Sequence, residues 1–112
     1  MTNGNGLLPN EQRALDRLKE ILARDFGLDR LILYGSKARG DADRESDIDV
    51  LVVLEGEPDW RTRRAVYDVC FDIGLEYDVL LQPVVYSQTR YNSPLIRATP
   101  FYRNVESEGV AV

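Results

Sequence analysis

Gly35-Ser36-Lys37-Ala38-Arg39-Gly40-Asp41-Ala42-Asp43-Arg44-Glu45-Ser46-Asp47-Ile48-Asp49 lies between two apolar runs, Leu31-Ile32-Leu33-Tyr34 before it and Val50-Leu51-Val52-Val53-Leu54 after it. The runs read as buried strands. A glycine directly after a strand lets the backbone turn tightly, and the amides exposed there form a nest for an anion. Asp47 and Asp49 open the second strand. Side chains two apart on a strand point to one face, with Cα atoms roughly 7 Å apart from the ~3.3 Å rise per residue. Two like charges at the start of an apolar strand are costly unless a cation offsets both. A phosphate turn beside paired carboxylates therefore points to a divalent cation and a nucleotide.

Working outward, Leu15, Leu18, Ile21, Leu22 and Phe26 fall at helical spacing, with Asn10 as the expected cap and Gly27 as the stop. Residues 37–46 read as a short helix or loop. Glu55-Gly56-Glu57-Pro58 is a turn, and Asp59 caps a second long helix with Trp60, Val66, Val69, Cys70 and Ile73 on its apolar face and Gly74 closing it. Glu76 to Leu81 reads as a third strand that stops by Pro83. Ser93-Pro94 and Thr99-Pro100 are helix starts, and Gly109 ends the last helix. The expectation is an α+β domain of order α-β-α-β-α-β-α, a small mixed sheet flanked by helices, over residues 10–112 behind a flexible leader at 1–9.

Composition narrows the chemistry. The 112 residues suffice for one core. With no histidine and a single cysteine, zinc sites and histidine-based nucleophilic triads are excluded. Any metal must be held by oxygen, which selects Mg2+, Mn2+ or Ca2+. A net charge of −5 argues against a general nucleic-acid surface. No apolar run approaches the ~20 residues of a membrane span, and the composition suits the cytoplasm.

Within the turn, Ser36 can donate its hydroxyl to a phosphate oxygen, and Lys37 and Arg39 are placed to neutralise a triphosphate. Arg39 can equally bridge to the acidic loop. Asp78, alone in the apolar segment Leu75 to Leu81, needs a reason. On a strand beside the second it would complete a three-carboxylate site with Asp47 and Asp49, serving two metal ions and accepting the nucleophile's proton. Arg61, Arg63 and Arg64 read as a solvated face or as contacts to an anionic ligand or partner.

These residues resemble the minimal nucleotidyltransferase (MNT) family of the DNA polymerase β-like superfamily. Its signature, Gly-Ser-x-Ala-Arg-Gly followed by Ser-Asp-x-Asp, is matched at Gly35, Ser36, Ala38, Arg39, Gly40, Ser46, Asp47 and Asp49. Lys37 stands where arginine is common. Pro100-Phe101-Tyr102-Arg103-Asn104-Val105 and Glu108-Gly109-Val110 also look like the family's tail. The resemblance implies an Mg2+-dependent antitoxin that moves AMP from ATP to a hydroxyl, often a tyrosine, of a helical HEPN-type toxin in a hetero-oligomer. Two other readings stay open: an antitoxin acting by contact alone, and nucleotidyl transfer to a small molecule with help from a partner chain.

Overall fold

The computed structural model describes residues 7–40 and 47–112. The elements are α1 (Pro9–Asp25), β1 (Leu28–Tyr34), α2 (Ser36–Arg39), β2 (Ile48–Leu54), α3 (Trp60–Tyr77), β3 (Leu81–Ser87), α4 (Gln88–Tyr91), α5 (Pro94–Arg97), α6 (Pro100–Glu108) and β4 (Val110–Ala111). The strands form one mixed sheet in the order β3-β2-β1-β4. β1 is antiparallel to β2 and to β4, while β2 and β3 run parallel. The first three helix–strand pairs follow the expected order, Ser93-Pro94 and Thr99-Pro100 start α5 and α6, and the tail adds the short helix α4 and the edge strand β4. No helix among the described residues is long and apolar enough to cross a membrane.

The period-2 alternation of β2 decides what each face of the sheet does. Ile48, Val50, Val52 and Leu54 point into a core built with Leu15, Leu18 and Leu22 of α1 and Val66, Cys70 and Ile73 of α3. Leu51 and Val53 point the other way, into a second cluster with Ile32, Tyr91, Ile96 and Val105 under α4, α5 and α6. Asp49 has the parity of Leu51 and Val53, so it opens onto this second face at its uncovered end.

Several boundaries differ from the sequence reading. α1 starts at Pro9, and the cap is not Asn10. Leu8 holds the N-cap position, and its amide donates to Oε1 of Glu11 at 2.7 Å. Asn10 instead lies in the helix and donates to the Tyr77 carbonyl at 2.9 Å, tying α1 to the end of α3. Leu7 packs against the core, and residues 1–6 of the expected leader lie outside the described residues.

The larger correction concerns Glu76 to Leu81. Helix α3 runs through Gly74 to Tyr77 instead of stopping. Gly74 is there because the chain folds back over it. A Cβ at Gly74 would come within 2.7 Å of the Val79 carbonyl oxygen, and that oxygen's own residue donates its amide to the Gly74 carbonyl at 3.0 Å. Asp78 ends the helix in the left-handed conformation (φ 58°, ψ 53°), which Asp tolerates better than most side chains. The strand begins only at Leu81 and passes through Pro83, a residue that an edge strand paired on one side accommodates. Asp59 does cap α3, accepting from the Thr62 amide at 2.8 Å. Trp60, expected on the apolar inner face, is 68% exposed.

Candidate functional site

Gly35 leaves β1 at φ 78°, ψ −158°, a conformation essentially confined to glycine. Space demands glycine as well. A Cβ there would lie 2.5 Å from Oδ2 of Asp49. The turn and the carboxylate are thus packed face to face, as their spacing in sequence suggested. Ser36 follows at the first position of α2, whose backbone bonds begin with the Ala38 and Arg39 amides donating to the Gly35 carbonyl at 3.1 Å. The helix does not use the Ser36 amide.

Asp49 sits in the middle of the sheet, opposite Tyr34 on β1 and Gln82 on β3. Burial and the charge of Asp47 both push its carboxyl above the usual range, with Arg39 opposing. Tyr34 is pushed up to about 12 by burial, then by Asp49 and Tyr86. Its ring meets Phe101 edge-on with centroids 5.4 Å apart, and Tyr86 is 6.2 Å from the same ring. The two aspartates therefore border an aromatic wall on one side and the glycine turn on the other.

Gln82 is the residue the sequence reading passed over. Its amide donates from Nε2 to Oδ2 of Asp47 at 3.2 Å, and its backbone is in register with Asp49. The available signal was a polar residue inside Leu81-Gln82-Pro83-Val84-Val85, obscured by placing the strand earlier. Asp78, by contrast, is not brought to Asp47 and Asp49. It is exposed at the end of α3 and lines a groove with Tyr67, Phe71, Leu75 and Leu80. Among the described residues no three His, Cys, Asp or Glu side chains come together as a metal cluster. Among the described residues, the expected set of Asp47, Asp49 and Asp78 is corrected to Asp47 and Asp49 with the Gln82 amide beside them.

Lys37 also requires correction. Its side chain is 2% exposed and its Nζ lies 2.7 Å from Oε2 of Glu11, itself 5% exposed. Lys37 points into the protein, locking α2 to the N-terminus of α1, and does not present its ammonium to the turn. Arg39 is exposed and reaches the tail, with Nη1 3.1 Å from both carboxylate oxygens of Glu108. The bridge to the acidic loop expected for Arg39 concerns residues 41–46, as does the match at Ser46; both lie outside the described residues. Arg63 is structural, donating to the Val85 carbonyl at 2.7 Å. Cys70 is buried, its thiol pushed up to about 12 by desolvation.

The donor set suits a hard cation. Two carboxylates on one face, one of them raised by burial and by its neighbour, are relieved by a divalent ion, and the Gln82 amide holds the other in place.

Comparison with known proteins identifies the family and the fold. Residues 15–111 match the nucleotidyltransferase domain family. A Methanocaldococcus jannaschii protein named "Putative protein adenylyltransferase MJ0141" is 39% identical over 85 residues, covering 76% of this chain and 79% of that protein. The fold is shared with a crystal structure of a toxin–antitoxin with AMP-PNP, with a TM-score of 0.62, 20% identity, 93% of this chain and 72% of that one. It is also shared with the structure of a tri-AMPylated Shewanella oneidensis HEPN toxin in complex with MNT antitoxin. There the TM-score is 0.55, the identity 17%, and the coverage 91% of this chain and 70% of that one.

Proposed function

Because this chain belongs to the nucleotidyltransferase domain family, we propose that it transfers AMP from ATP to a tyrosine hydroxyl of a cytoplasmic HEPN-type toxin, as an antitoxin in a hetero-oligomer. The observation that carries this reading is the packing of the Asp49 carboxylate directly over Gly35, which puts carboxylates and phosphate turn within one ligand's reach. The neighbours' bound nucleotide and modified toxin support the choice of nucleotide and acceptor.

In this reading Gly35 and Ser36 bind the triphosphate through backbone amide and hydroxyl, and Asp47 and Asp49 hold Mg2+ (or Mn2+). Bound there, the ion would neutralise phosphate charge, favour ionisation of the attacking hydroxyl and stabilise the departing pyrophosphate. Gln82 fixes Asp47. Tyr34, Tyr86 and Phe101 exclude water from the covered side. Arg39 is close enough to lower the charge cost of Asp49 and would offer the same charge to phosphate.

Gln82 in place of a third carboxylate favours one alternative, neutralisation of the partner by contact alone. The two separate cleanly. The protein, labelled ATP, Mg2+ and the product of the adjacent gene are incubated together, and label is expected on the partner with wild type and not with Asp49→Asn. A partner that is never labelled, yet is neutralised in cells by Asp49→Asn as well as by wild type, overturns the catalytic reading.

A further inference from the structure

Helix α3 carries an apolar stripe that the described residues leave uncovered. Trp60, Tyr67, Phe71 and Leu75 recur along one side of the helix and are 68%, 47%, 66% and 70% exposed, and Leu80 beside them is 56% exposed. The opposite side of the helix, Val66, Cys70 and Ile73, is fully used in the core. The stripe borders a groove of about 650 Å3 between the C-terminal half of α3 and the start of the edge strand β3. Its five side chains expose on the order of 600 Å2, taking large apolar side chains at about 200 Å2 each when bare. With its charged flanks the face approaches the ~800 Å2 per partner of a standard protein interface.

The charges along α3 identify the occupant. Arg61 and Arg64 stand at its N-terminal half, Asp68, Asp72 and Glu76 at its C-terminal half, and all five are exposed. None makes an ion pair within the described residues; Arg61 only stacks on Trp60, at 5.3 Å from the ring centroid. A helix with a basic half and an acidic half is complementary to itself reversed. Arg61 and Glu76 are equidistant from the midpoint between Asp68 and Val69, as are Trp60 and Tyr77. Arg64 and Asp72 are equidistant from Asp68, and Tyr67 and Phe71 from Val69. One twofold axis near Asp68–Val69 therefore sets Arg61 against Glu76, Arg64 against Asp72 and Tyr67 against Phe71 of a second copy. It also brings the second copy's Trp60 to the groove at the end of α3. Antiparallel pairing keeps each flank against the same flank of the copy and opposes the two helix dipoles favourably.

We propose that this face is a homodimer interface, two copies of the chain packed antiparallel through α3. The site at Asp47 and Asp49 lies on the other face of the sheet, so both sites stay open in the dimer. The inference stands whether or not the transfer reaction does.

Sedimentation equilibrium of the full chain across the micromolar range tests it, with circular dichroism confirming that each variant folds. Wild type is expected to dimerise, and Phe71→Glu to weaken dimerisation by roughly tenfold or more. Arg64→Glu and Asp72→Arg are each expected to be monomeric, because each sets like charges against one another across the twofold axis. Mixed, they are expected to form a heterodimer, since both contacts then join opposite charges. A wild-type protein that stays monomeric, or binds only an unrelated partner through this face, overturns the proposal. So does a dimer indifferent to Phe71→Glu, or single variants that fail to rescue each other.

Discussion

The two faces of one small sheet obey different demands. Under α1 and α3, every inward residue of β2 is aliphatic and fully buried, and the face is closed along its length. Under α4, α5 and α6, the cluster is mostly aliphatic at its centre, rimmed by partly buried aromatics, and stops short, leaving Asp49 and Asp47 at the open end. Alternation along a single strand, Ile48-Asp49-Val50-Leu51-Val52, feeds both. The first face shows what a sheet does when only stability is required, and the second where a charge is retained at a cost.

That cost gives the largest expected effect. Asp49→Asn should reduce AMP transfer by roughly a thousandfold, since charge stabilisation by a held cation is worth several kcal/mol. In cation-free buffer the same variant should be more stable than wild type at neutral pH. The Asp49 carboxyl is raised in the folded protein, so its ionised form opposes folding. That opposition begins to lift as pH falls through the raised folded value and is gone below the ordinary unfolded one, where wild type and variant should converge. Thermal melts with and without Mg2+ measure both halves. Equal melting points at neutral pH would show that the two faces are under no different strain.

The contrast can also be broken from below. Lys37→Met should cost about 3 kcal/mol in denaturant unfolding, the lower end for stranding one member of a buried pair, here Glu11. Combining it with Glu11→Gln should recover much of the loss. If the folded Lys37→Met protein lost nucleotide affinity more than tenfold, roughly 1.4 kcal/mol, Lys37 would belong to the site after all.

Gly35→Ala comes next. It forces a side chain into a glycine-only conformation and against the Asp49 carboxylate, so about 2 kcal/mol of stability should go, with cation affinity falling in step. Isothermal titration with Mn2+ reads the second effect. Gln82→Ala should be milder on stability but lower Mn2+ affinity about tenfold by releasing Asp47, while Gln82→Glu should raise it by adding charge.

Much of this was legible in the sequence because local chemistry and spacing agreed. Gly35 and Asp49 were paired by the rule that a strand, a glycine turn and a returning strand bring their ends together, and Asp59 was readable as a cap. What failed did so where tertiary structure overrode a local signal. Gly74 looks like a helix stop, yet it is the place where Val79 crosses over the helix. Reading it as a stop moved the third strand forward, put Asp78 in the sheet and hid Gln82. Lys37 looked like a phosphate ligand because nothing local reveals that Glu11, in a different helix, waits for it. The pairing of β4 with β1 was equally silent, since two residues carry no period.

Asp78 offers the smallest effect and the sharpest test of that error. Its backbone is left-handed and its side chain exposed at the end of α3, so Asp78→Asn, which tolerates the same conformation, should leave both stability and transfer within about twofold. Asp78→Gly should stabilise the fold by about 0.5–1 kcal/mol through relief of the positive φ. An Asp serving as metal ligand or proton acceptor gives the opposite pattern, a large loss of transfer for both substitutions at unchanged stability. Measured beside Gln82→Ala, the pair decides which residue of this stretch the site uses. The register of β3 against β2 places Gln82, and not Asp78, beside Asp49.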